Sequence, residues 1–232
     1  MERNYYTDIN ELARSFADYA AAVLSNALKS QKTASLVVPG GSTPRFYLPA
    51  LAAKSLPWNH IIITLSDERW VDTESEDSNE HLVRNHLLAH LPEHLQDQTQ
   101  FIGLKTDHEA AAEAIPEIHQ RLEKIPQPFT LTVLGLGEDG HIASLFPGLK
   151  LHEETDETTG QLCLAVHPPL APSPRISLSL EALVNSEHIV LVVTEKNKRQ
   201  LLDQLIKHAN PEIPLLWLLR RSRAPIVVFE TD

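Results

Sequence analysis

Phe129-Thr-Leu-Thr-Val-Leu134 runs directly into Gly135-Leu-Gly-Glu-Asp-Gly-His141, and this junction decides the fold. The first half is a nearly continuous apolar run, the mark of a strand covered on both faces in a parallel sheet. The second half is glycine, acid and histidine, an odd composition for a plain connection. Two earlier junctions repeat the design. Ser35–Val38 stops at Pro39-Gly40-Gly41-Ser42-Thr43-Pro44, and His60-Ile-Ile-Ile-Thr-Leu65 stops at Ser66-Asp67-Glu68-Arg69. Ligands in open parallel sheets bind beyond the carboxyl ends of strands, so these three turns are expected at one edge.

Helical patterns fill the intervals. Asp8-Ile-Asn-Glu11 reads as a capping box, with Leu12, Phe16, Ala20, Val23 and Ala27 at helical spacing after it. Phe46–Ala53 starts a helix with Pro44 in its first turn, and another runs from Asp77 or Ser78 to Leu91, before Pro92. Asp107–Lys124 is helical in composition, with Pro116 expected to break or kink it. Further strands are expected at Phe101–Leu104, Leu162–Val166, Ile176–Leu180, His188–Val193 and Pro225–Glu230, and helices at Lys196–His208 and Leu215–Arg220. Strand–helix alternation without internal repeats predicts an α/β fold: a mostly parallel sheet with helices on both faces, in one domain over residues 1–232.

Composition narrows the function. The 232 residues carry 20 Lys+Arg against 31 Asp+Glu, a formal net charge of −11. That balance counts against a nucleic-acid or anionic-membrane surface, although a local pocket can still bind a small anion. The one cysteine, Cys163, permits no intramolecular disulfide and no Cys-based zinc site; it reads as a core residue. Met1-Glu2-Arg3-Asn4 opens no apolar signal core, and no run approaches the ~20 apolar residues of a membrane span. The expectation is a cytoplasmic protein.

Gly40-Gly41-Ser42-Thr43 resembles a phosphate cradle: glycines let backbone N–H groups approach an anion, hydroxyls add donors, and a helix N-terminus follows. A tight turn with a Ser/Thr helix cap accounts for it equally. No Gly-Lys-Ser/Thr follows, so it is no nucleoside-triphosphate loop. Gly135-Leu-Gly137-Glu-Asp-Gly140 matches the dinucleotide pattern literally, but Glu138 and Asp139 would repel a pyrophosphate, and His152–Gly160 reads as loop where that motif needs regular structure. His141, by contrast, is suited to accept a proton from water near neutral pH, with a carboxylate such as Asp139 orienting its ring. Asp67 could orient hydroxyls or act as a base and Arg69 could hold an anionic oxygen; a salt-bridge cluster fixing the loop is the alternative. His86, His90 and His94 read as a solvated helix face rather than a metal site. The Leu215–Leu219 run around Trp217 reads as a buried helix.

Taken together, the sequence resembles the 6-phosphogluconolactonase family. The matching stretches are Gly40-Gly-Ser-Thr-Pro44, Ser66-Asp-Glu-Arg-Trp-Val71 with Asp77-Ser78-Asn79, Leu134 through Gly148, Pro174-Arg175-Ile-Ser-Leu-Ser-Leu180 and the Lys198 helix. The related glucosamine-6-phosphate isomerase/deaminases carry Ala-Phe-Asn-Glu-Pro after the Gly-His element and Asp-Glu-Tyr at the earlier motif. This chain has Ala143-Ser144-Leu145-Phe146-Pro147 and Asp67-Glu68-Arg69, which favours the lactonase over the deaminase. The resemblance implies a Rossmann-like three-layer α/β/α sandwich, like ribose-phosphate isomerases and CoA transferases, with no cofactor and no metal. It implies hydrolysis of 6-phospho-D-glucono-1,5-lactone, with His141 as base, Asp139 as its orienter, and Asp67 and Arg69 beside them. Gly40, Gly41, Ser42, Thr43, Arg175 and Lys198 would bind the phosphate, with Arg45 and Lys196 as competing cations. A nucleophilic Ser144 is the rival mechanism, although G-x-S-x-G is lacking. A non-catalytic sugar-phosphate sensor is the rival class. Oligomeric state is not legible.

Overall fold

The computed structural model describes residues 1–149, 160–168, 173–208, 210 and 212–232. In chain order the elements are β1 (Glu2–Tyr5), α1 (Ile9–Ala27), β2 (Ala34–Val38), α2 (Pro44–Ala52), β3 (Ile61–Leu65), β4 (Asp67–Arg69), α3 (Asn79–His86), α4 (Glu93–Gln96), β5 (Gln100–Ile102) and α5 (Ile115–Leu122). There follow β6 (Phe129–Gly135), β7 (Cys163–Val166), β8 (Arg175–Leu178), α6 (Leu180–Val184), β9 (Ser186–Thr194), α7 (Lys196–His208), α8 (Pro214–Arg221) and β10 (Ile226–Thr231).

Every residue of β2 and β3, and all of β6 except Gly135, is buried, as their nearly continuous apolar runs require. They form the centre of a seven-stranded sheet ordered β1-β10-β9-β6-β2-β3-β5, with each neighbouring pair parallel. Helix α1 packs with α2 across β2, β6 and β10, while α7 lies on β9 and β10. The buried face of α1 carries Leu12, Phe16 and Ala20 with Ala13, Ala17 and Leu24. The result is a three-layer α/β sandwich.

A second, antiparallel sheet of three strands, β4-β8-β7, stands at the carboxyl edge. It grows out of the first, because β3 passes through Ser66 straight into β4, and the Ser66 carbonyl accepts the Leu178 amide at 2.8 Å. This small sheet was not foreseen. Asp67-Glu68-Arg69 reads as a turn, and its partner β8 begins at Arg175, far along the chain.

The remaining differences concern boundaries. Asp8 caps α1 by accepting the Asn10 amide at 3.1 Å, so the cap forms as an Asx contact. Pro116 opens α5 instead of breaking it: Ala111–Ala114 is a short 3-10 turn and the proline sits in the first helical turn, where its missing N–H costs nothing. Helix α3 ends at His86, with a 3-10 turn before Leu91. The expected strand Ile176–Leu180 ends at Leu178, because Ser179 caps α6 by accepting the Ala182 amide. Strand β1 was not expected at all. The loop expected at His152–Gly160 falls almost wholly outside the described residues.

Candidate active site

Strands β9, β6, β2 and β3 are parallel neighbours, so their carboxyl ends open on one edge. A cleft of about 430 Å³ lies there, lined by the turn Pro39–Pro44, by Asp67 and Arg69, by Leu134–Glu138 and His141, and by Arg175, Thr194 and Lys198. The three odd junctions of the sequence thus meet in one place.

The Gly40–Thr43 turn places Gly41 at φ +93°, a left-handed conformation natural to glycine. Thr43 precedes α2 with helical dihedrals and makes no side-chain cap. Its hydroxyl instead shares a 2.8 Å hydrogen bond with the Thr194 hydroxyl at the end of β9. Of the two accounts of this turn, the Thr43 helix cap is therefore absent.

Strand alternation separates three adjacent charged residues. Successive side chains of β4 point to opposite faces, so Asp67 and Arg69 line the cleft while Glu68 turns away. Fully buried, Glu68 accepts the amides of Arg69 (2.6 Å), Asn79 (2.8 Å) and Glu80 (2.8 Å) and the Ser78 hydroxyl (3.0 Å). Burial pushes its carboxyl above the ordinary range, and these donors pull the other way. Each of its four partners is a donor, the arrangement an ionised, acceptor-only carboxylate satisfies at the start of α3. Among the described residues Arg69 makes no salt bridge; its guanidinium donates to the Asp77 carbonyl.

Asp67 is nearly buried and accepts the hydroxyls of Ser144 (2.6 Å) and Ser66 (3.0 Å). The Ser144 hydroxyl is therefore committed to a carboxylate within the fold, in keeping with a structural serine. Asn79, which the motif reading left without a role, donates to the Asp67 carbonyl at 2.8 Å and lines the cleft beside Gly40.

Arg69 and Arg175 stand directly opposite each other on β4 and β8. Burial, and then the charge of Arg69, press the Arg175 guanidinium below its usual value. Its Nε is buried and has no hydrogen-bond partner among the described residues. Asp67, Glu68 and Asp77 offset part of the repulsion between these two like charges, and an anion bound beside both would offset more. Lys198 also lines the cleft, its ammonium 2.8 Å from Glu195. Lys196 and Arg45 do not line it; burial, and then the charge of Arg45, hold the His86 imidazole below its usual value.

His141 is held from two sides. Asp139 Oδ1 accepts the His141 amide at 3.0 Å and lies 2.6 Å from Nδ1. A carboxylate only accepts, so Nδ1 carries the proton in the neutral ring and Nε2 keeps its lone pair. The imidazole also packs on Phe146, with centroids 4.6 Å apart.

The other readings are quickly placed. Among the described residues no group of three or more His, Cys, Asp or Glu side chains is arranged to hold a metal, and His86, His90 and His94 form no such cluster. Cys163 is buried, which pushes its thiol up to about 12. Leu215, Leu216 and Leu218 of α8 are buried in the core. No helix among the described residues is long and apolar enough to cross a membrane.

Known proteins are similar to this chain over most of its length. The family described as glucosamine-6-phosphate isomerases/6-phosphogluconolactonase matches residues 7–227. A protein of Rhizobium meliloti named 6-phosphogluconolactonase is 33% identical, covering 94% of this chain and 93% of its own. One of Neisseria meningitidis with the same name is 34% identical over 98% of this chain and 97% of its own. The crystal structure of a 6-phosphogluconolactonase from Shewanella baltica superposes with a TM-score of 0.92 at 34% identity, covering 100% of this chain and 98% of that one. The chain belongs to the glucosamine-6-phosphate isomerase/6-phosphogluconolactonase family.

Proposed function

We propose that the chain is a cytoplasmic enzyme that hydrolyses 6-phospho-D-glucono-1,5-lactone to 6-phosphogluconate, a step of the oxidative pentose phosphate pathway. The observation that carries this reading is the Asp139–His141 pair opening on the cleft that also holds the glycine turn and three cations.

The phosphate seats on Gly40, Gly41, Ser42 and Thr43, with Arg175 and Lys198 supplying charge. A chain of net charge −11 opposes an anionic substrate at long range, so affinity rests on this local cluster. Asp67, fixed by Ser66 and Ser144, accepts hydrogen bonds from sugar hydroxyls. His141 Nε2 takes a proton from water as the water oxygen bonds to the lactone carbonyl carbon. Asp139 holds the ring and stabilises the imidazolium. The carbonyl electron pair moves onto oxygen, where the Arg69 guanidinium and loop amides oppose the new charge. When the intermediate collapses, the ring C–O bond breaks and His141 returns its proton to the departing ring oxygen. Water is consumed and one hydroxy acid is formed.

The test is lactone hydrolysis measured against the spontaneous rate, with glucosamine 6-phosphate deamination run alongside. We expect lactone turnover, no ammonia release, and a His141→Ala variant slower by about two to four orders of magnitude, the scale of a lost general base. Wild-type turnover in a folded His141→Ala protein removes His141 from the mechanism. Ligand binding without hydrolysis would make the chain a sensor.

A further inference from the structure

The three glycines of Gly135-Leu-Gly137-Glu-Asp-Gly140 match a dinucleotide signature that this chain does not use, and the geometry assigns the middle one a different task. We propose that Gly137 is a positioning residue for His141: its missing side chain is the space in which the imidazole sits. This rests on the reading of His141 as the base.

A Cβ built on Gly137 would lie 2.2 Å from Nδ1 and 2.2 Å from Cε1 of His141, and 2.7 Å from Cγ. Those distances are far inside van der Waals contact, so ring and methyl group exclude each other. The ring can yield only by giving up its partners. Asp139 holds it at Nδ1, and Phe146 packs on it at a tilt of 43°. The backbone beneath is closed as well: Gly137 N–H donates to the His141 carbonyl at 2.9 Å, and Gly140 N–H to the Gly137 carbonyl at 3.1 Å. Gly140 adopts φ +88°, and a Cβ there would meet Ile213 at 2.8 Å, so the loop is pinned from behind by the segment leading into α8. A Cβ at Gly135 would meet nothing. The glycines of the pattern thus serve different ends, and the one at 137 makes room for the ring.

Gly137→Ala must therefore drive the imidazole off Asp139, while the phosphate seat across the cleft keeps its geometry. The expected result is a kcat lower by about 10- to 100-fold, the scale of a base displaced by an ångström, with KM within about twofold. A structural role elsewhere would not produce the pattern that follows. In a His141→Ala background the ring is gone, so adding Gly137→Ala should cost less than about twofold in kcat and leave the urea midpoint unmoved, the non-additivity of a contacting pair. Should Gly137→Ala alone fail to fold, the double variant Gly137→Ala/His141→Ala should fold, since the three atoms nearest the methyl group all belong to the imidazole. Wild-type kcat in Gly137→Ala, an equal loss in both backgrounds, or a double variant that also fails to fold each overturns the proposal. A normal turnover of His141→Ala alone would defeat the base assignment instead, and the unfolding comparison would still report on the seat.

Discussion

Helices α2 and α3 both begin beside the cleft, and their first turns are finished in opposite ways. At α3 the protein supplies its own anion. The Glu68 carboxylate accepts two amides of the first turn, Asn79 and Glu80, and the Ser78 hydroxyl accepts a third, His81. At α2 no side chain caps the helix, the preceding turn carries two glycines, and Thr43 spends its hydroxyl on Thr194. A helix start attracts negative charge through its unpaired N–H groups and dipole. Where the fold provides that charge, the turn is structural; where it leaves the turn uncapped beside Arg175 and Lys198, the turn is suited to a ligand's phosphate.

The contrast is broken most severely by substitution of Glu68. Glu68→Gln replaces an acceptor by an amide that must oppose one or more of four buried donors, at a cost of about 3 kcal/mol. Urea unfolding measures it, and a loss under about 1 kcal/mol would mean that α3 does not depend on its internal anion. Arg175→Gln comes next. We expect KM for the lactone to rise about 30-fold, about 2 kcal/mol of charge-assisted binding, at little cost in kcat. Because Arg175 faces Arg69 with a buried, unpartnered Nε, the variant should be no less stable than wild type, and inorganic phosphate should raise the Tm of wild type more than that of the variant. A destabilised variant with unaltered KM would make Arg175 a structural residue. The smallest effect is expected of Ser42→Ala: KM higher by about threefold, with stability within about 0.5 kcal/mol, since the exposed hydroxyl caps nothing. A stability loss near 1 kcal/mol with unchanged KM would make the two helix starts alike after all.

These two starts also mark how far the sequence can be read. The central strands were legible because burial on both faces leaves mostly apolar residues, and Leu36, Ile63 and Leu131 are all fully buried. Strand β1 was not: four residues at the sheet edge, mostly exposed, carry no hydrophobic pattern. Strand β4 was hidden for another reason. Three charged residues show no period, and pairing with β8 depends on chain more than 100 residues distant. That omission concealed the functional split, because only strand geometry sends Asp67 and Arg69 into the cleft and Glu68 beneath α3. His141 and Asp139 were legible through local spacing, two residues apart across one turn. Gly137 was seen only as part of a misleading pattern, since its meaning lies in the position of a side chain four residues on. Lys198 and Lys196 became distinguishable once α7 placed one of them at the cleft.

The direct test of the contrast is a titration with inorganic phosphate followed through backbone amide shifts. The amides of Gly41, Ser42 and Thr43 should move on saturation, while those of Asn79 and Glu80, already bound to Glu68, should stay in place. Movement at Asn79 and Glu80 with a silent Gly41–Thr43 turn would contradict the account.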